Sequence, residues 1–427
     1  MPIVTRKLTA DIEREASAVA PYDFALLASV VLLLGLGTVM VYASTINDST
    51  MLSGDGAARL KVHMGHVGLG IAVLVFSMFF PYRRWRTLVY PGLLATVVLL
   101  VLVMLFGKTA GNARRWISLP GFSLQPAELA KLAFVIFLAY SISKKSTDIR
   151  RFGPGFGPHL AVCGMLIVLC LFQPDFGTCI ILVLLMFGML FAAGTKLSYI
   201  TLFVCIGAFL AFQAIATNDM RLGRVMAFID PWAYRTGTGY QMVNSLIAIG
   251  SGGVVGQGIG YGGQTLTGFL PEGHTDFILS VIAEQLGLVG VMIVILLFTT
   301  ILIRGVKIAL AARDDFGRFL AFGVTLLITV QAAINMLVCV ALIPTKGLTL
   351  PFVSYGGSSM VVCCLALGIL LSISRDERIG EFEAIVPAWA REKEEEATPK
   401  KKKKKRRQQG KRKLLSSKSQ NLDEVLK

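Results

Sequence analysis

Charge is scarce in this sequence. Only 16% of its 427 residues are Asp, Glu, Lys or Arg, histidine occurs four times, and acids are outnumbered by basic residues 26 to 42. So little charge argues against a soluble globular chain, in which about a quarter of the residues are charged. The signatures of common hydrolytic and nucleotide-driven chemistries are also missing. There is no P-loop lysine motif, no G-x-S-x-G elbow and no H-E-x-x-H pair, so the sequence offers no means of hydrolysing ATP and no recognisable serine or zinc hydrolase centre. Gly258, Gly260 and Gly263 satisfy G-x-G-x-x-G, but no strand precedes them and no second βαβ half follows, so no nucleotide cofactor is expected. The seven cysteines lie within or at the ends of apolar runs, without metal-ligand spacing, and read as small hydrophobes.

What the chain has in abundance is apolar length. Hydrophobic residues make up 54% of it and the mean hydropathy is +0.68. Runs of roughly 20 apolar residues suffice to cross a bilayer as helices, and about ten such runs recur, near 25–44, 64–80, 90–106, 127–143, 157–172, 178–194, 198–216, 277–303, 319–343 and 353–374. The expected fold is an all-α polytopic membrane protein. A mixed-charge segment, 1–24, precedes the first run, which reads as an uncleaved anchor. At the other end, 375–427 is a basic tail containing "KKKKKRR". It lacks apolar periodicity and is expected to be largely disordered and to lie along anionic inner-leaflet lipids, with no nucleic-acid partner.

Orientation follows from the Lys/Arg bias of short loops. With the N-terminus inside, "YRRWR", "KKSTDIRR", Lys196 and "RGVKIALAARDDFGR" fall on the cytoplasmic side with the basic tail, and both termini are cytoplasmic. A long connection, 217–276, then lies outside between spans seven and eight. Its length marks it as the functional loop, and "GYQMVNSLIAIG" within it predicts a short amphipathic helix. Fewer basic residues lie outside, among them Arg114, Arg115 and Lys346, and these run against the bias.

Four outer entry points carry a proline: "LQPAELAK", "QPDFGT", "LPEGHTDF" and "LPFVSYGGSS". Three add an acid within two residues. Proline at the first turn and a carboxylate at a helix N-terminus both favour helix starts, so Asp175 and Asp276 are good caps as they stand. Other polar groups lie deeper. Glu128 and Lys131 share a helical face one turn inside a span, Glu284 lies two turns past Asp276, and Gln331 and Asn335 sit four apart in the ninth span. Ionisable groups at such depth are costly; they either lock helices together or line a wet functional cavity. Such a cavity suits an amphiphilic anion: Arg114, Arg115 and Lys346 to hold phosphate, Trp116 at the interface, and carboxylates as bases or metal ligands. At this point an enzyme is favoured only slightly over a transporter.

The stretches "NARRWISLPGFSLQPAELAKL", "QPDFGT", "RLGRVMAFIDPW", "GYQMVNSLIAIGSGG", "LPEGHTDFILSVIAEQLGLVG" and "PTKGLTLPFVSYGGSS" resemble the SEDS family of bacterial cell-wall proteins, from the first span to about residue 374. "PTKGLTLP" is closer to its division members than to its elongation members. The turn "GNARRW", where many relatives read "NGARRW", is a local departure. The resemblance implies a ten-helix peptidoglycan glycosyltransferase of the inner membrane, at the septum. It would polymerise lipid II beside a class B penicillin-binding protein and other divisome membrane proteins. It also implies that Asp276, the aspartate of "HTDF", is catalytic. Arg114, Arg115, Trp116, Glu128, Lys131, Asp175, Glu272, His274 and Lys346 then become candidate substrate-binding residues. A divalent ion, Mg or Mn, would draw on Glu128, Asp175, Glu272 or Asp276. The rival readings are a lipid II flippase, against which no inverted repeat or broken-helix pair is visible in the sequence, and a non-catalytic scaffold recruiting a transpeptidase.

Overall fold

The computed structural model describes residues 22–53, 55–110, 113–119, 122–145, 148–217, 219–266, 268–270 and 272–385. Residues 1–21 of the N-terminal segment, Gly111 and Asn112, and residues 386–427 of the basic tail lie outside them, while the tail's first residues, 375–385, continue the last helix. Residues 22–377 form one compact unit.

Long apolar runs with few helix breakers fold as helices because a backbone in lipid must satisfy its own hydrogen bonds. In order they are α1 (Phe24–Ser53), α2 (Ala58–Phe79), α3 (Trp85–Phe106), α4 (Pro126–Lys144), α5 (Gly157–Phe172), α6 (Phe176–Ala192), α7 (Leu197–Ala216), α8 (Asp219–Ile229), α9 (Tyr240–Gly252), α10 (Gly263–Leu266), α11 (Ile278–Ala311), α12 (Asp315–Cys339) and α13 (Gly357–Ile385). Eight of them, α1 to α5 and α11 to α13, are long and apolar enough to cross a membrane, α5 together with the turn from Phe152; the apolar stretches Phe176–Ala192 and Leu197–Gln213 of α6 and α7 are shorter. Each expected run thus finds a helix. The amphipathic helix expected in the long connection is α9.

The helices differ in what surrounds them. Within its most apolar stretch α13 is 89% buried and α4 78%, against 28% for α2 and α3. Helices α4, α12 and α13 therefore form the centre of the bundle, and the exposed leucines, valines and phenylalanines of α2, α3 and α7 are the surface a bilayer would cover. Polar contacts gather the loops into two sets. At one end Tyr82 donates to Asp314 at 2.7 Å, Arg86 pairs with Asp314, Arg83 with Asp376 at 3.0 Å and Arg304 with Asp23 at 2.5 Å. These belong to the loops read as cytoplasmic. The proline-bearing entry points meet at the other end.

Two features depart from a simple helical bundle. Between α3 and α4 the chain forms a small antiparallel sheet, β1 (Lys108–Ala110), β2 (Ala113–Leu119) and β3 (Phe122–Leu124), in that order, with Lys108 opposite Trp116 and Ile117 opposite Leu124. The expected helical architecture holds, with this small sheet as an addition to it. The β-forming "RWISL" and the Pro120-Gly121 pair that follows it suit a hairpin.

The second feature is a break inside α11. Gly287 has φ 68° and ψ −164°, a region essentially reserved for glycine. The amides of Leu288 and Val289 donate to the carbonyls of Gly253 and Val254, while the carbonyls of Glu284 and Gln285 accept from Gln257 and Gly258. The glycine-rich stretch after α9 therefore serves to satisfy a broken helix, as any interruption at membrane depth requires. A break of this kind was not visible in the sequence.

Candidate active site

Three outer segments converge. The turn 272–277 leads into α11, the segment 346–356 leads into α13, and β2 covers the start of α6. Asp276 lies half-buried on the first of these. Its segment is held by three consecutive carbonyls. That of His274 accepts from the Tyr355 amide at 2.8 Å, that of Thr275 from the Ser354 hydroxyl at 2.6 Å, and that of Asp276 from the Asn335 side chain at 2.7 Å. The Asn335 amide group also donates to the Leu348 carbonyl at 2.6 Å, so one residue of α12 pins both loops. Gly347, with φ 67°, passes beside the carboxylate: a Cβ there would stand 3.5 Å from Asp276 Oδ2.

The surroundings of Asp276 disfavour its charge. Burial pushes its carboxyl up to about 7, the nearby Glu272 carboxylate adds to the rise, and the Arg115 guanidinium opposes it. It caps nothing by its side chain, since α11 has no side-chain cap bond; the capping account does not apply to it. Glu272, exposed and at φ 59°, accepts from the Thr275 hydroxyl at 2.6 Å.

Arg115 reaches inward because side chains alternate along a strand. Its Nε donates to the Gln173 carbonyl at 3.0 Å and its Nη2 to the Pro174 carbonyl. Arg114 and Trp116 lie on the opposite face of β2, Arg114 exposed and Trp116 half-buried. Lys346 is partly buried; desolvation, and then the nearby Arg224, hold its ammonium below the usual lysine range. Like charges brought together this way favour an anion between them. Arg224 lies in the stretch "RLGRVMAFIDPW", which contributes no candidate site residue in the sequence reading.

Further candidates have partners within the scaffold. Lys131, 1% exposed, donates to Glu128 and to Gln331, both at 2.7 Å. Gln331 in turn donates to the Thr349 carbonyl at 3.1 Å, and Thr349 donates to Ser359 at 2.8 Å. A chain of hydrogen bonds thus ties α4, α12 and the start of α13 together, with Glu128 and Lys131 joined in the ion pair that their spacing allows. Asp175 caps α6, accepting from the Thr178 amide at 3.1 Å and hydroxyl at 2.9 Å. Among the described residues no three His, Cys, Asp or Glu side chains gather as a metal site. With Glu128 and Asp175 committed elsewhere, the acids proposed for a divalent ion do not fit one. Glu284 is buried near the α11 break and accepts from the Gln264 amide at 2.7 Å. Ser354 and Tyr355 were missed as individuals, although the sequence marked their segment as an entry point.

The chain resembles known proteins in sequence and in fold. The family model described as "Cell cycle protein", covering FtsW, RodA and SpoVE, matches residues 24–379. The chain is similar to the "Probable peptidoglycan glycosyltransferase FtsW" of Geobacter metallireducens, 43% identical over 355 residues that cover 83% of this chain and 94% of the relative. It is also similar to the "Stage V sporulation protein E" of Bacillus subtilis, 36% identical over 360 residues covering 83% and 98%. Among solved structures, one described as "Structural coordination of polymerization and crosslinking by a peptidoglycan synthase complex" superposes with a TM-score of 0.70 at 28% identity, covering 83% of this chain and 98% of that one. The rod shape determining protein RodA of Thermus thermophilus gives 0.63 at 27% identity, with 83% and 97% covered.

Proposed function

Because the chain belongs to the FtsW, RodA and SpoVE family of cell cycle proteins, we propose that it acts as a peptidoglycan glycosyltransferase. In this reading it polymerises lipid II on the outer face of the bacterial cytoplasmic membrane, during septal wall synthesis, with Asp276 as general base. The observation that carries the role of Asp276 is its setting: a half-buried carboxylate at the bundle mouth, raised to about 7 and facing one cation. A base works best when its pKa lies near the operating pH, because it is then both deprotonated and basic enough to take a proton.

Asp276 takes the proton of the acceptor's GlcNAc 4-hydroxyl. The oxygen then forms a bond to the anomeric carbon of the growing chain's MurNAc while the bond from that carbon to the pyrophosphate oxygen breaks. Undecaprenyl pyrophosphate leaves with the bonding electrons, and the anomeric centre inverts. Arg115, Lys346 and Arg224 supply the cations that the departing negative charge needs, with Arg114 and Trp116 assigned to the rim. No step is assigned to a metal. A class B transpeptidase is the expected partner, in line with the synthase complex that the fold resembles, and other divisome membrane proteins would join it.

The test is polymerisation of lipid II by purified protein and transpeptidase. Asp276→Asn, folded and still bound to its partner, is expected to slow the reaction by about a hundredfold or more. A wild-type rate would remove Asp276 from the chemistry, and the same protein in liposomes, moving lipid II between leaflets without polymerising it, would favour the flippase reading.

A further inference from the structure

Three of the four histidines in the chain surround one tyrosine. The ring centroids of His63, His66 and His274 lie 5.8, 6.0 and 5.6 Å from that of Tyr355. His63 is stacked on it, at an interplanar angle of 29°, while His66 and His274 meet it edge-on. His63 and His66 stand three apart on one face of α2, and His63 heads that helix's buried seam, followed by Val67, Gly70, Leu74 and Ser77. Gly357, the first residue of α13, gives His66 its place, since a Cβ there would come within 2.9 Å of Nε2. His274 stands two residues before Asp276.

Resting on the assignment of Asp276 as base, we infer that Tyr355 is a positioning residue for that carboxylate, and that the histidine face of α2 holds Tyr355 in place. Tyr355 grips the loop twice: its amide donates to the His274 carbonyl and its ring packs on the His274 ring. Its own segment is stiff. The Leu350 amide donates to the Ser354 hydroxyl at 2.8 Å, and the Ser354 amide to the Leu350 carbonyl at 3.0 Å. What remains free to move is the aromatic ring, and α2 limits that motion. His63 is 1% exposed and neither ring nitrogen has a hydrogen-bond partner. Its contribution is therefore its face, a flat surface against which the Tyr355 ring rests. A chain of ring contacts thus runs from a lipid-facing helix to the loop carrying the base. Displacing a reacting group by about 1 Å costs on the order of a hundredfold in rate, even from a distance.

The experiment measures kcat, KM for lipid II and the pH dependence of polymerisation on the full chain with its transpeptidase. The titratable and charged groups that bear on the readout are Arg59, His63 and His66 on α2, His274, and Glu272 and Arg115 near Asp276. Tyr355→Ala is expected to lower kcat by about a hundredfold, leave KM within about twofold, and move the pH midpoint of the base. Tyr355→Phe, which keeps ring and amide, should retain the wild-type rate. His63→Phe should keep activity where His63→Ala loses it, and these milder variants decide the matter if Tyr355→Ala does not fold. Wild-type kcat in Tyr355→Ala, equal losses in His63→Phe and His63→Ala, or a fall in amount of folded protein with unchanged kcat and pH midpoint would each overturn the inference. Asp276→Asn separates the two claims: if it retains activity the base assignment fails, and if it is inactive while Tyr355→Ala is not, only the positioning role fails.

Discussion

At the scale of single residues, the charges around Asp276 predict how the rate depends on pH. A general base acts in its deprotonated form, so kcat/KM should rise with pH through about 7 and level above it. Glu272 contributes to the raised value, so Glu272→Gln should move the rising limb to lower pH. Arg115 opposes it, so Arg115→Ala should move the limb to higher pH; it should also reduce the plateau, because Arg115 holds the Gln173 and Pro174 carbonyls as well. A pH–rate profile of each variant checks both signs, and shifts in the same direction would show that the two groups do not act on Asp276 through their charge. Glu128 and Lys131 shared the sequence pattern of a substrate site, an acid and a base one turn apart near an entry point. Their partner Gln331, 200 residues on, joins them to α12, and no local pattern contains that contact.

At the scale of elements, the apolar runs made the helices legible because length and hydrophobicity suffice for a span. Where tertiary contacts set the boundary, the sequence was less informative. Helix α2 begins at Ala58 rather than near 64, which puts Arg59 and Lys61 on a helix, and α13 begins at Gly357, because the preceding residues are held in turns by His274 and Thr275. The break at Gly287 escaped because glycine within an apolar run is common in membrane helices. Only its φ and the loop packed on it give it meaning. Gly287→Ala would place a Cβ 2.4 Å from both the Gly256 nitrogen and the Val254 oxygen, at positive φ. Backbone strain alone costs about 1–3 kcal/mol. The clash cannot relax without parting the 253–258 stretch from α11. Thermal unfolding of the detergent-solubilised variant should show a clear loss of stability; an unchanged midpoint would mean that the break is not required.

At the scale of the whole molecule, function depends on which end of the bundle faces out. The two sets of loops have opposite characters. One is tied by Tyr82, Arg83, Arg86 and Arg304 to Asp314, Asp376 and Asp23, and carries exposed Arg84, Arg150, Arg151 and Lys307. The other carries the sheet, Asp276 and the few cations near it. The positive-inside bias predicts a cytoplasmic side for the first set, and on the proposed reading the cations of the other set that run against the bias have a reason, since Arg115 and Lys346 would hold substrate. Orientation is thus a premise of the polymerase reading, because glycan strands are assembled outside. It can be measured without assaying activity. A membrane-impermeant maleimide added to intact cells should label Arg114→Cys, an exposed position on β2, and should reach Lys307→Cys on α11 only after the membrane is opened. Background labelling should be low: six native cysteines are buried and Cys205 lies within apolar α7. The reverse pattern would put Asp276 on the cytoplasmic side, where the basic groups around it would have no extracellular donor to hold, and the proposed polymerisation would have to be abandoned whatever the fold resembles.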